Sequence, residues 1–230
     1  MDSPPYLAHL SRELATFEAC LGGDLSVPIE HCGNWTLYDL ADHLGRGNLW
    51  AAVATTENRG DYQAPSAPRD RSDLVSWFHD ASAVPLSALD ADPATPAWTI
   101  FPPPTVGFWH RRRCLEALVH RWDAEHALGV GGPLDPALAG VGVAEVIDTM
   151  APRQIKLGRA GAPEHAVRFT ATDTGSSWVW GPAAPVATIS ATSAELLLML
   201  WGRISSGDQA ITWQGDRAAA QVVLNGSLVP

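Results

Sequence analysis

The chain has 230 residues, enough to bury a hydrophobic core as one large domain or two small ones. An apolar share of 46 % is ordinary for a globular protein, which excludes disorder as the main state. A net charge of −10, from fifteen cations against twenty-five acids, excludes the basic face with which a nucleic-acid binder neutralises phosphates.

Three cysteines, Cys20, Cys32 and Cys114, are too few and too scattered for a disulfide framework or a paired-cysteine metal site. The N-terminus lacks a charged region followed by an apolar core, and no window reaches the ~18 apolar residues of a membrane span. A cytoplasmic protein without membrane attachment, monomer or homodimer, is expected. Lys156 is the only lysine, and alanine, glycine and proline are abundant, a composition associated with GC-rich genomes such as those of actinobacteria.

In chain order, Leu7, Leu10, Leu14, Phe17 and Leu21 recur at intervals of three and four after Pro4-Pro5, predicting an amphipathic helix that ends near Gly22-Gly23. A second helix starts at Thr36, whose hydroxyl can cap it while Asp39 sits three residues on, and Leu37, Leu40 and Leu44 turn inward. A third spans about Ser72 to Leu89 through Leu74, Trp77, Phe78 and Ala81, with Pro85 as a kink or end. The fourth runs from about Thr105 to Leu128 with Leu115, Val119 and Trp122 as one stripe. Its basic run Arg111-Arg112-Arg113 reads as a solvated face or a set of salt bridges. Four such helices make a bundle.

Gly129 to Pro133 breaks the pattern and marks a domain boundary. Asp135-Pro136 opens a fifth helix to about Met150, followed by a polar connection from Arg153 to His165. The period then becomes two. Val167, Phe169 and Ala171, then Trp178 and Trp180, then the run from Val186 to Ile189, predict three strands of one sheet. An apolar helix starts at Ser193, Ile211 to Trp213 reads as a strand, and a last helix covers Arg217 to Leu224. The expected class is α+β: a four-helix bundle over residues 1–129 and a small α+β domain over 134–230.

Glu116 and His120 lie four apart on the fourth helix, so their side chains share a face with β-carbons about 6 Å apart. His43, beside Leu40 and Leu44, can point into the bundle from the second helix. One metal ion can touch all three, and a three-residue set of nitrogen and oxygen leaves an open coordination position, as catalytic sites do. Asp39 and Asp123 are candidates to hold the second nitrogens of His43 and His120, with a place in the helix cap as the competing role of Asp39. An ion pair of Glu116 with Arg112 or Arg113 competes with the metal reading. His9, His31, His79, His110, His126 and His165 have no partner at ligand spacing, so surface or hydrogen-bonding roles are expected.

The segment from Cys32 to Arg46, with Trp35-Thr36, Asp39-Leu40 and His43-Leu44, resembles a signature of the mycothiol-dependent maleylpyruvate isomerase family within the DinB-like bundles. Glu116, His120-Arg121-Trp122-Asp123 and Glu125 are similar to a second family stretch, and Leu197 to Arg203 with Gly215-Asp216 to later landmarks. The resemblance covers nearly the whole chain in order. It implies a DinB-like bundle with a sterol-carrier-like second domain, and a divalent metal, usually zinc, on His43, Glu116 and His120. It also implies an active-site role for Arg203 from the second domain and mycothiol as a thiol cosubstrate. Cys32 falls where relatives often carry a cysteine and is expected to serve packing.

Such a protein would use a metal-activated thiolate to isomerise, or to transfer the thiol to, a small electrophile that can bear a carboxylate. Two alternatives stay open: a metal-dependent hydrolase using activated water, and a non-catalytic binder of a hydrophobic ligand. The ten tryptophans favour an aromatic-lined cavity, although most belong to the core. Which of Trp50, Trp77, Phe108, Trp109 and Trp178 face a pocket is not decided by sequence, nor is the metal, since such a set accepts zinc, nickel, iron or manganese.

Overall fold

A computed structural model describes residues 5–182, 184–226 and 228–230. The chain separates into two compact units, Met1–Gly132 and Pro133–Pro230. The first contains α1 (Tyr6–Cys20), α2 (Leu37–Thr56), α3 (Arg71–Ala88) and α4 (Val106–Ala127). Helix α1 packs on α4 and α3, and α2 packs on α3 and α4. The apolar positions of the repeating pattern supply the core: Leu10, Leu14, Phe17, Leu37, Leu40, Leu44, Leu74 and Phe78 are all essentially inaccessible to solvent.

Helix α2 begins where its sequence says it should. Thr36 accepts a hydrogen bond from the Asp39 backbone N–H, and the Asp39 carboxylate accepts in return from the Thr36 backbone N–H, a complete capping box. Gly45 lets the Trp77 ring of α3 lie directly on α2, since a β-carbon there would stand 2.5 Å from the ring. Helix α3 continues through Pro85 to Ala88, so the proline neither ends it nor sits at its boundary.

Helix α4 differs from its expected form. Instead of one apolar stripe it is buried nearly all round, taking Arg112, Arg113, His120, Arg121, Asp123 and Glu125 inside with its leucines. Trp122, placed in the stripe by its spacing, is only half-buried. The basic run is likewise not a solvated face: Arg112 and Arg113 are buried and hydrogen-bonded. Buried cations of this kind require partners, and the partners lie on other turns and other helices.

The second unit opens with α5 (Pro136–Glu145), capped by Asp135. A wider π-helical turn follows over Val146–Met150, and α6 (Ala151–Lys156) then carries the helix beyond Arg153, where a polar connection was expected. The widening precedes Pro152, which has no N–H to give and whose ring crowds the carbonyl four residues back. The sheet comprises β1 (Ala166–Ala171), β2 (Ser177–Trp180), β3 (Pro185–Ala191) and β4 (Thr212–Gly215) in the order β2-β1-β3-β4. Strand β1 pairs antiparallel with β2 and parallel with β3, and β4 closes the other edge antiparallel to β3. Helix α7 (Ser193–Leu200) packs on α5, and α8 (Arg217–Leu224) on β1 and β3, which confirms the α+β class. No helix among the described residues is long and apolar enough to cross a membrane.

Candidate functional site

The capping box sets the start of α2, and with it the phase of His43, seven residues beyond Thr36. Glu116 and His120 arrive from one face of α4. His43 Nε2 stands 3.0 Å from Glu116 Oε1, and His120 Nε2 stands 3.3 Å from the same oxygen. One ligand atom from each of the three lies within 4.8 Å of the others. The imidazoles of His43 and His120 meet edge to face with centroids 5.1 Å apart. The three residues expected from spacing and helical phase thus come together in the folded chain.

Glu116 divides its two oxygens between different partners. Oε1 faces the histidines, and Oε2 is paired with the Arg112 guanidinium one turn back. The ion pair that competed with the metal reading is present, but it occupies the other oxygen and orients the carboxylate. Arg113 donates from Nε and from its terminal nitrogen to Asn48 Oδ1, at 3.1 and 2.8 Å, and also to the Leu44 carbonyl of α2. Gly47 makes room for it, because a β-carbon there would stand 2.9 Å from the guanidinium. Arg113 thereby joins α2 to α4 beside the histidines, while Arg112 acts within α4 on Glu116.

The second nitrogen of His120, Nδ1, lies 3.0 Å from Asp123 Oδ2, as expected of an orienting carboxylate. Asp39 does not play that part for His43: its Oδ2 accepts from both the backbone N–H and the hydroxyl of Thr36. The group against His43 is the Trp35 ring, 4.8 Å away and tilted by 44°, a residue of the quoted signature for which no role beside His43 was expected. Its sequence signals were its place in that signature and its position directly ahead of the helix cap. Cys32 has a polar neighbour as well as packing contacts: its thiol donates to Asp123 Oδ2 at 3.7 Å.

Burial pushes the His43 imidazole down to about 3, and nearby His120, Arg113 and Arg112 add to the effect. Near neutral pH the ring is uncharged, the state in which an imidazole nitrogen can bind a cation. Two neutral-capable nitrogens and one carboxylate oxygen converge, with one ring anchored from behind. This donor chemistry suits a borderline divalent cation. His43 keeps 39 % side-chain exposure against 13 % for Glu116 and 8 % for His120, so the cluster opens to solvent on the His43 side.

Outside the cluster, Arg121 is clamped between Glu13 of α1 at 2.8 Å and Glu125 at 2.5 Å, which accounts structurally for the Arg and Glu of the α4 motif. Arg203 follows α7 after Gly202, which adopts φ +71, and it donates to the Trp201 carbonyl at 2.7 Å. Trp50, Trp98 and Trp109 pack against one another with centroids 5.2 to 6.4 Å apart, a core arrangement. His110 Nε2 donates to the Leu89 carbonyl at 2.6 Å, and His79 pairs with Glu18 at the surface, as expected for histidines outside the site. His126 and His31 also keep surface roles, and both face one carboxylate, that of Glu30, at 3.3 and 3.8 Å.

Residues 7–125 match the family profile of the mycothiol maleylpyruvate isomerase N-terminal domain. The chain belongs to the mycothiol maleylpyruvate isomerase family. Residues 137–221 match the corresponding MDMPI C-terminal domain, so the resemblance read from separated motifs holds for both halves. Membership in this isomerase family makes the chain an enzyme. The fold is similar to a crystal structure of the mycothiol-dependent maleylpyruvate isomerase with one histidine changed to alanine, at 13 % identity over 91 % of each chain with a TM-score of 0.67. A second crystal structure of the mycothiol-dependent maleylpyruvate isomerase is similar at 14 % identity, again over 91 % of each chain, with a TM-score of 0.64. At such identities the likeness of this family member to the solved isomerases concerns the fold. No curated protein matches the sequence.

Proposed function

We propose that this family member is a metal-dependent enzyme that uses mycothiol to isomerise a small electrophile, or to transfer the thiol to it, with His43, Glu116 and His120 as the metal ligands. The observation that carries the reading is the convergence of both Nε2 atoms on Glu116 Oε1, at 3.0 and 3.3 Å. Zinc is the favoured ion, given two imidazoles and one carboxylate. A bound cation would supply the Lewis acidity that deprotonates a thiol of ordinary pKa about 8.5.

The chain's own residues divide the remaining work. Asp123 holds the His120 ring in the orientation that presents Nε2 to the cluster. Arg112 holds Glu116 so that Oε1 faces the histidines. Arg203, through its match to the family motif, is assigned to a substrate carboxylate or to the enolate that develops when a thiolate adds to a conjugated cis double bond. Addition converts the double bond to a single bond, rotation follows, and expulsion of the thiolate restores the double bond in the trans form. In a transferase variant the thiol adduct is released instead.

The test is metal content and thiol-dependent turnover of the purified chain beside His43→Ala and Glu116→Ala. Loss of both properties in both variants is expected, with turnover falling on the order of 100-fold or more. Full metal occupancy in both variants would overturn the ligand assignment. Undiminished turnover in thiol-free buffer would favour a hydrolase over thiol chemistry.

A further inference from the structure

Glu30, His31 and His126 share no residue with the cluster above, yet one ligand atom from each lies within 4.8 Å of the others. We propose that these three residues form a second, surface-facing site for a borderline divalent cation such as zinc. Glu30 and His31 come from the connection between α1 and α2, and His126 from the last turn of α4, so the site exists only in the folded bundle.

The distances suit a small cation. Bonds of about 2.0–2.2 Å at tetrahedral angles space neighbouring ligand atoms about 3.4 Å apart. Glu30 Oε2 lies 3.3 Å from His126 Nε2 and 3.8 Å from His31 Nε2, so one carboxylate oxygen serves two imidazole nitrogens. A plain surface ion pair uses one imidazole, whereas a shared cation uses both. Two imidazoles also select zinc, nickel or copper over magnesium and calcium, which take oxygen ligands.

The rings are held in place before any ion arrives. His126 stacks on Trp122 at 4.6 Å and 9°, and the His31 ring lies 6.3 Å from Trp122 and 6.2 Å from His126, inclined by 26–27° to each. Stacking removes rotamer freedom that a surface histidine otherwise loses on binding. His126 also stands in the last turn of α4, where the helix dipole favours positive charge. Glu30 and His126 are well exposed, at 69 % and 49 % of their side chains, which leaves room for water to complete the coordination.

Chelator-stripped full-length chain, titrated with zinc and assayed by ion content after gel filtration, tests the site. Replacing both His31 and His126 by alanine should lower the bound zinc by one ion per chain. This holds whether the wild type binds two ions or, if the His43 cluster fails to bind, only one. The two readings therefore fail separately. Glu30→Gln, at an exposed position that the fold does not need, should weaken zinc at this site about tenfold or more and keeps the test valid if the double variant misfolds. Nickel should quench part of the tryptophan fluorescence, and Trp122→Phe should remove that part. Unchanged zinc stoichiometry in the double variant, or unchanged affinity in Glu30→Gln, would overturn the proposal.

Discussion

His120 Nδ1 lies 3.0 Å from Oδ2 of Asp123, a carboxylate whose side chain is completely buried one turn further along α4. An orienting acid of this kind fixes the ring, the tautomer and the basicity of the opposite nitrogen. Asp123→Asn keeps the size and an acceptor oxygen but removes the charge. Metal affinity should fall 10- to 100-fold with the helical circular dichroism unchanged. Chelator competition measures it, and equal affinity would reduce Asp123 to a packing role.

Arg121 is buried between Glu13 and Glu125 and ties α1 to α4. Arg121→Met leaves two buried carboxylates without their cation, and breaking a buried pair in this way costs about 3–5 kcal/mol. The melting temperature of the bundle should drop by on the order of 10 °C. A calorimetric shift of under about 2 °C would show that water or other partners compensate.

The Thr36 backbone and hydroxyl donate to the Asp39 carboxylate and hold its pKa below the ordinary value. A carboxyl with a depressed folded pKa contributes stability that is present above its unfolded pKa of about 3.9 and is lost as pH falls through the folded value. Thr36→Ala should cost about 1 kcal/mol at neutral pH. In urea melts it should also flatten the decline of stability below about pH 4. A parallel decline in both proteins would assign the acid sensitivity to other groups.

Removal of the metal should abolish thiol-dependent turnover and lower the melting temperature, because an ion bound only by the folded state stabilises it by mass action. In the stripped chain the His43 imidazole resists protonation, with a folded value of about 3 against about 6.5 unfolded. Its neutral-state stability is thus fully present above about pH 6.5 and erodes as pH falls toward 3. His43→Gln should show a smaller loss across that window, measured by chemical denaturation in the presence of chelator.

Much of the candidate site was legible because it rests on local rules. Glu116 and His120 share a helical face whatever surrounds them, and Thr36 with Asp39 sets where α2 starts and hence where His43 points. The order of the motifs along the chain likewise carried the family without any contact being known. Local rules also place the four bundle helices and the strands of period two, since each follows from spacing within its own segment.

Tertiary packing decided the rest. Whether Asp39 caps a helix or holds a histidine depends on which partner is nearer once α2 has formed, and the backbone won. Arg112 and Arg113 look like a solvated face in sequence, but α4 runs through the middle of the first unit and turns them to Glu116 and Asn48. His31 and His126, 95 residues apart by number, become neighbours only when the connection ahead of α2 folds against the end of α4. The sequence by itself determined the elements, the phase of each helix and the membership of the first cluster, because those depend on short-range geometry. Only the folded chain decided which oxygen of Glu116 faces which partner, because that choice is made by side chains that no local period relates.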